Sequence, residues 1–183
     1  MTTRAITLLT LLLAAAPAAA APAPPVRGIG VSNVGASTPL GAIDAELDDA
    51  KALGATTIRA EVSWAALEPE GKGDRQTDYL ARIDRLFEGA ARRGIKPLLL
   101  LLRTPCWASS KPGAPGDCSG DFESFPPERP ADYGDIAAWL ADRYRGKLAG
   151  IEIWNEPDHV NEEYFEGPDK PARYVALVRA ANR

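Results

Sequence analysis

From Val26 onward, two kinds of apolar spacing alternate along the chain. Val26 to Asn33 (VRGIGVSN) is a short extended candidate. Ile43, Leu47 and Ala50 then fall at helical spacing, and the segment Ile43 to Leu53 stops at Gly54, a residue suited to end a helix. Thr56 to Trp64 switches to a period of two: Ile58, Ala60, Val62 and Trp64 on one side, Arg59, Glu61 and Ser63 on the other. Asp78 to Arg93 returns to helical spacing through Leu80, Ile83, Leu86, Phe87 and Ala90 and stops at Gly94. Ile95 to Leu102 is apolar on both faces, as a strand covered on both sides should be. A loop of about 25 residues, rich in Gly, Pro and Ser, precedes a helix over Ala131 to Tyr144 that turns Ile136, Trp139, Leu140 and Tyr144 inward. A loop of that length inside a compact domain points to function or disorder. Ile151 to Ile153 is the next strand, and Ala172 to Ala181 begins a fourth helix.

Four β-α units in succession predict a parallel sheet with crossover helices. Two architectures satisfy that pattern, an open doubly wound sheet and a (β/α)8 TIM barrel. The open sheet usually carries a G-x-G-x-x-G phosphate fingerprint after its first strand. Here Gly28 and Gly30 begin that register, but Asn33 stands where the third glycine belongs. The barrel is therefore expected. It takes about 250 residues and eight units, so residues 26–183 supply its first four β-α units, an N-terminal half.

Composition adds a compartment. Arg4 precedes an apolar stretch from Ala5 to Ala16, followed by Pro17 and alanines, the layout of a secretory signal peptide over residues 1–21 with small residues at its cleavage site. The apolar core is about a dozen residues, short of the roughly 20 a membrane span needs. Residues 22–25 read as a Pro/Ala spacer. The implied protein is secreted and has no stable membrane association once cleaved. Cleavage removes Arg4 alone, leaving 20 basic against 25 acidic residues and a formal charge of −5. That balance argues against nucleic acid or an anionic membrane as partner. In an exported chain, Cys106 and Cys118 are expected to form a disulfide that pins the long loop. Two thiolates without a nearby His make a poor zinc site, and the single His of the chain, His159, rules out a His-rich cluster.

The run Ile151-Glu152-Ile153-Trp154-Asn155-Glu156-Pro157 is a buried-strand pattern that breaks abruptly at a carboxylate. In parallel barrels, strand ends are where catalytic groups are delivered. This run resembles the fourth-strand motif of clan A glycoside hydrolases of the family 5 or family 39 type. Ile58-Arg59-Ala60-Glu61 with Trp64, Leu67-Glu68-Pro69 and Gly71 resembles the second-strand pattern of the same enzymes, and Thr104-Pro105 with Trp107 is similar to their third-strand end. Family 5 members often carry a His at that end; Arg103 and Thr104 stand there instead, which leans toward a family 39-like member.

The resemblance implies a secreted retaining glycosidase acting on a poly- or oligosaccharide. Glu156 is the expected general acid/base, which requires a carboxyl pKa raised by burial or a neighbouring like charge. Asn155 is expected to bond the sugar 2-hydroxyl. Since strict alternation sends Asn155 and Glu156 to opposite sides, the strand end must be irregular for both to line one site. Arg59 is expected to hold a carboxylate, by resemblance the nucleophile; a purely structural pair with Glu61 or Glu152 is the competing reading. Trp64, Trp107 and Trp154 are candidate platforms for sugar faces or, equally, core residues, while Trp139 reads as core. Glu61 and Glu68 read as structural. Two carboxylates suffice for the reaction, so no metal or organic cofactor is implied. The nucleophile belongs to a later strand, making this chain a fragment that is inactive alone. The alternative readings are a non-catalytic carbohydrate-binding half-barrel working as a dimer or with a partner, and a truncated gene product.

Overall fold

A computed structural model describes residues 25–31, 34–35, 37–158 and 164–183. The signal peptide, most of the spacer, Asn33 and His159 lie outside the described residues. The described chain forms one four-stranded parallel sheet in the order β1-β2-β3-β4, with β1 Gly28–Gly30, β2 Thr57–Ser63, β3 Lys96–Leu102 and β4 Gly150–Ile153. Helices α1 Leu40–Ala52, α2 Trp64–Leu67, α3 Thr77–Arg92, α4 Pro130–Arg143 and α5 Lys170–Ala181 complete it. Every predicted helix and strand is present, with ends shifted by a few residues; β1 is the shortest. The four-residue α2 was not predicted, nor were the single 3-10 turns at Cys106–Ala108 and Phe122–Ser124.

Strand order decides between the two architectures. A doubly wound sheet reverses direction at a switch point, whereas a barrel adds each strand beside the last. The observed order is monotonic, and every pairing is parallel. The sheet is four strands of a barrel wall, the architecture expected from the missing third glycine of the phosphate fingerprint.

Register explains the two faces. Ile58, Ala60 and Val62 of β2 pair with Pro97, Leu99 and Leu101 of β3 on the helix-covered side. Of these, Ile58, Ala60, Val62, Leu99 and Leu101 are fully buried. Arg59, Glu61 and Ser63 pair with Leu98, Leu100 and Leu102 on the opposite, inner side. Gly54 and Gly94 close α1 and α3 with φ of 76° and 69°, a left-handed conformation glycine adopts without steric cost.

Helices α4 and α5 touch through Gly134. A Cβ built there meets the Ala180 carbonyl oxygen at 2.6 Å and its carbon at 2.9 Å, both backbone atoms that cannot rotate away. In an open helix, Gly→Ala gains about 0.5–1 kcal/mol. Here Gly134→Ala is expected to destabilise by about 1–3 kcal/mol, because α5 must move. Urea denaturation checks this; a gain in stability would show that the two helices are not so closely packed.

Candidate active site

The inner face centres on Arg59. Its Nε donates to Glu152 Oε2 at 2.7 Å, and its Nη2 donates to Glu152 Oε1 and to Asn155 Oδ1, each at 2.8 Å. Arg59 lies on β2 and Glu152 on β4, so the pair reaches across β3. Alternate strands meet in this way when a barrel wall curves, since each interior layer draws its side chains from every second strand. Glu152 hydrogen bonding, then the charges of Glu152, Glu61 and Glu156, raise the Arg59 pKa against the opposing effect of burial. The guanidinium thus carries its charge among three carboxylates. The Glu152 pairing that the sequence left as an alternative is present.

The end of β4 is irregular, as the motif required. Trp154 still donates its backbone N–H to the Leu101 carbonyl at 3.0 Å, extending the ladder by one bond. It does so with φ of 64°, and Glu156 follows with φ of 43°. Left-handed backbone at two non-glycine positions is costly and uncommon. Its effect is to break the alternation. Trp154 turns into the core at 2% exposure, Asn155 is half-buried against Arg59, and Glu156 is exposed at the C-terminal end of the sheet. Because Asn155 Oδ1 accepts from Arg59, its Nδ2 hydrogens are the part of the amide that can serve a ligand.

A second cation stands at the neighbouring strand end. Arg103 follows β3 with φ of 67°; its Nε lies 3.4 Å from Glu61 Oε1 and its Nη1 3.2 Å from Glu123 Oε2. Beneath them the Tyr79 hydroxyl accepts from the Ser63 N–H at 2.9 Å, and burial pushes its pKa up to about 12. Tyr133 lies below β4 and donates to the Leu101 carbonyl at 2.6 Å. Sequence reasoning did not single out Glu123, Tyr79 or Tyr133. Their residue types are ordinary on helices and loops, and only tertiary placement brings them under the strand ends.

Two of the three candidate platforms are corrected. Trp64 is 0% exposed, its Nε1 donating to Glu68 Oε2 at 2.9 Å, and its ring meets Trp107 and Tyr133 edge-on. Trp154 donates its Nε1 to the Tyr164 carbonyl and packs on Phe165 and Tyr133. Neither offers a free face to a sugar; both are core. Trp107 is half-buried, with its Nε1 fixed on the Glu68 carbonyl at 2.7 Å. Trp139 is also only half-buried, its ring covered by the Arg75 guanidinium at 3.8 Å. Glu68, at 2% exposure, holds Trp64, the Gly73 N–H at 3.1 Å and Arg75 at 3.2 Å, so it ties α2 to the loop after it.

Cys106 and Cys118 form the predicted disulfide, with Cα atoms 5.6 Å apart. Around it the loop is held by Ser109 Oγ donating to the Phe122 carbonyl at 2.8 Å and by the Thr104 N–H donating to the Glu123 carbonyl at 3.0 Å. The latter bond places Glu123 beside Arg103. Replacing both cysteines by Ser is expected to cost about 3 kcal/mol on the chain-entropy estimate for so short a loop. Denaturation with and without reductant checks it: the wild type should fall to the double variant's stability on reduction, and the variant should not respond.

No protein-family model matches the sequence, and neither does any curated protein. Solved structures do match. The exo-beta-1,4-mannosidase Op5Man5 from Opitutaceae bacterium strain TAV5 superposes with a TM-score of 0.58 at 21% identity over 85% of this chain and 30% of its own. The GH39 enzyme from Xanthomonas axonopodis pv. citri gives a TM-score of 0.59 at 18% identity over 85% of this chain and 32% of its own. The shared fold is part of a (β/α)8 barrel. A GH5_18 structure from Streptomyces cattleya, in complex with GlcNAc, agrees at a TM-score of 0.54 and 19% identity over 86% of this chain and 42% of its own. The half-barrel thus spans between about a third and two fifths of the enzymes it resembles, and both families suggested by the sequence motifs are among them.

Proposed function

We propose that this half-barrel is part of a secreted retaining glycoside hydrolase in which Glu156 is the general acid/base. The observation that carries the reading is the broken strand end. Two left-handed residues, Trp154 and Glu156, turn a carboxylate out at the C-terminal end of the sheet, where a barrel binds its substrate. The same turn leaves Asn155 anchored on Arg59. Strain of this kind persists where surrounding structure enforces it, and it concentrates at functional sites.

In the proposed reaction, the Glu156 carboxyl gives its proton to the glycosidic oxygen as the bond to the anomeric carbon breaks. A second carboxylate, supplied from beyond these four strands, attacks that carbon from the opposite face. Glu156 then removes a proton from the water that releases the glycosyl-enzyme. Glu152 is engaged bidentately by Arg59, and Glu61 and Glu123 lie beside Arg103. Asn155 Nδ2 donates to the sugar 2-hydroxyl, with its orientation set by Arg59.

The test is product stereochemistry. The complete secreted polypeptide, its length read from intact mass, is incubated with oligosaccharides and the anomeric protons of the first product are followed by NMR. Retention is expected; inversion or the absence of any hydrolysis would overturn the assignment.

A further inference from the structure

The pinned loop and the start of α4 border a half-open cavity of about 260 Å³. None of Arg59, Asn155 and Glu156 lines it. Its lining includes the apolar Trp107, Ala114 and Pro115 and the charged Lys111, Glu128, Arg129 and Asp132. We infer that this cavity is a second carbohydrate site, taking one uncharged sugar ring of a longer glycan.

Three features point to that ligand. The volume lies just under the range of drug-sized pockets, the scale of a single ring. An aromatic residue together with polar groups in one lining suits a pyranose, which has C–H groups on its faces and hydroxyls around its edge. The charged lining is balanced, two cations and two carboxylates, so the cavity has no net charge to attract an ion of either sign.

Three of the lining residues are fixed in place. Trp107 is locked through its indole N–H to the Glu68 carbonyl at 2.7 Å and abuts Trp64 at 87°. The Asp132 side chain is only 8% exposed; Oδ1 accepts from Lys72 at 2.8 Å, while Arg129 Nε stands 3.7 Å from Oδ2, beyond hydrogen-bond distance. Lys111 Nζ is held at 2.6 Å by the Ser119 carbonyl, inside the disulfide-closed segment. A site that is ordered before its ligand arrives loses less entropy on binding.

The inference takes its ligand class from the carbohydrate reading but does not depend on Glu156. The full-length protein carrying Glu156→Gln, so that the probe is not consumed, is labelled with fluorotryptophan. The Trp107 resonance is assigned by Trp107→Phe and titrated with cellobiose. A saturable shift is expected, with binding about tenfold weaker in Arg129→Ala, an exposed position. Glucosamine and glucuronate should bind more weakly than cellobiose. An unmoved Trp107 resonance, equal affinity in Arg129→Ala, or a charged sugar that binds more tightly than cellobiose would each overturn the inference. Hydrolysis by protein with Glu156 intact is scored separately: activity without a Trp107 shift sinks only this cavity, and a Trp107 shift without activity sinks only the catalytic assignment.

Discussion

Glu156→Gln in the complete polypeptide is expected to lower turnover of glycans with poor leaving groups by about 10²–10⁴-fold, the usual contribution of a positioned acid. Glutamine keeps the size of the side chain and much of its hydrogen bonding, so the strand end and Arg59 should be undisturbed. What it cannot do is protonate a departing oxygen. A substrate whose leaving group is already a weak base, such as a nitrophenyl glycoside, needs little protonation and should lose much less in its first step. The contrast between the two substrate types distinguishes an acid from a residue that only binds sugar. Equal losses on both would reassign Glu156 to binding, and wild-type rates on both would remove it from the site.

Trp64→Ala is expected to cost about 3–5 kcal/mol, the range for deleting a large buried aromatic side chain. The ring is 0% exposed between Trp107 and Tyr133, and its Nε1 is a donor to the buried Glu68 carboxylate. Trp64→Phe retains most of the apolar volume but removes that donor, so about 1–3 kcal/mol should be lost. Chemical denaturation measures both variants. The decisive companion experiment is carbohydrate binding by folded Trp64→Phe, which should match the wild type. If it kept its stability and lost its sugar affinity, Trp64 would be a platform after all, and its burial in this half-barrel would not represent the working protein.

Trp64 shows how local pattern and motif can point in different directions. Its alternation with Ile58, Ala60 and Val62 already put it on the helix-facing side of β2, while likeness to glycosidase motifs made it a platform. Packing sided with the alternation. Trp154 was harder to read, because the turn that redirects it lies outside any regular period. Arg59 was legible as a group needing a carboxylate, since an arginine on a barrel's inner face must be paired. Which carboxylate it would take was open: by resemblance the nucleophile of a later strand, or else Glu61 or Glu152.

The sequence by itself determined the parallel α/β architecture, the half-barrel extent, the disulfide and the need for an irregular end to β4. Each of these rests on nearby residues: apolar period, helix-stop glycines, a short cysteine spacing, and a strand that stops at Asn155-Glu156. Tertiary structure alone decided that Arg59 takes Glu152, 93 residues away, and that Asn155 shares that guanidinium. It also decided which tryptophans are core and that Trp107 faces a separate cavity. The reason is geometric. Local spacing sets which face a side chain leaves by, but curvature of the sheet and docking of the loop over Trp107 set what it meets there.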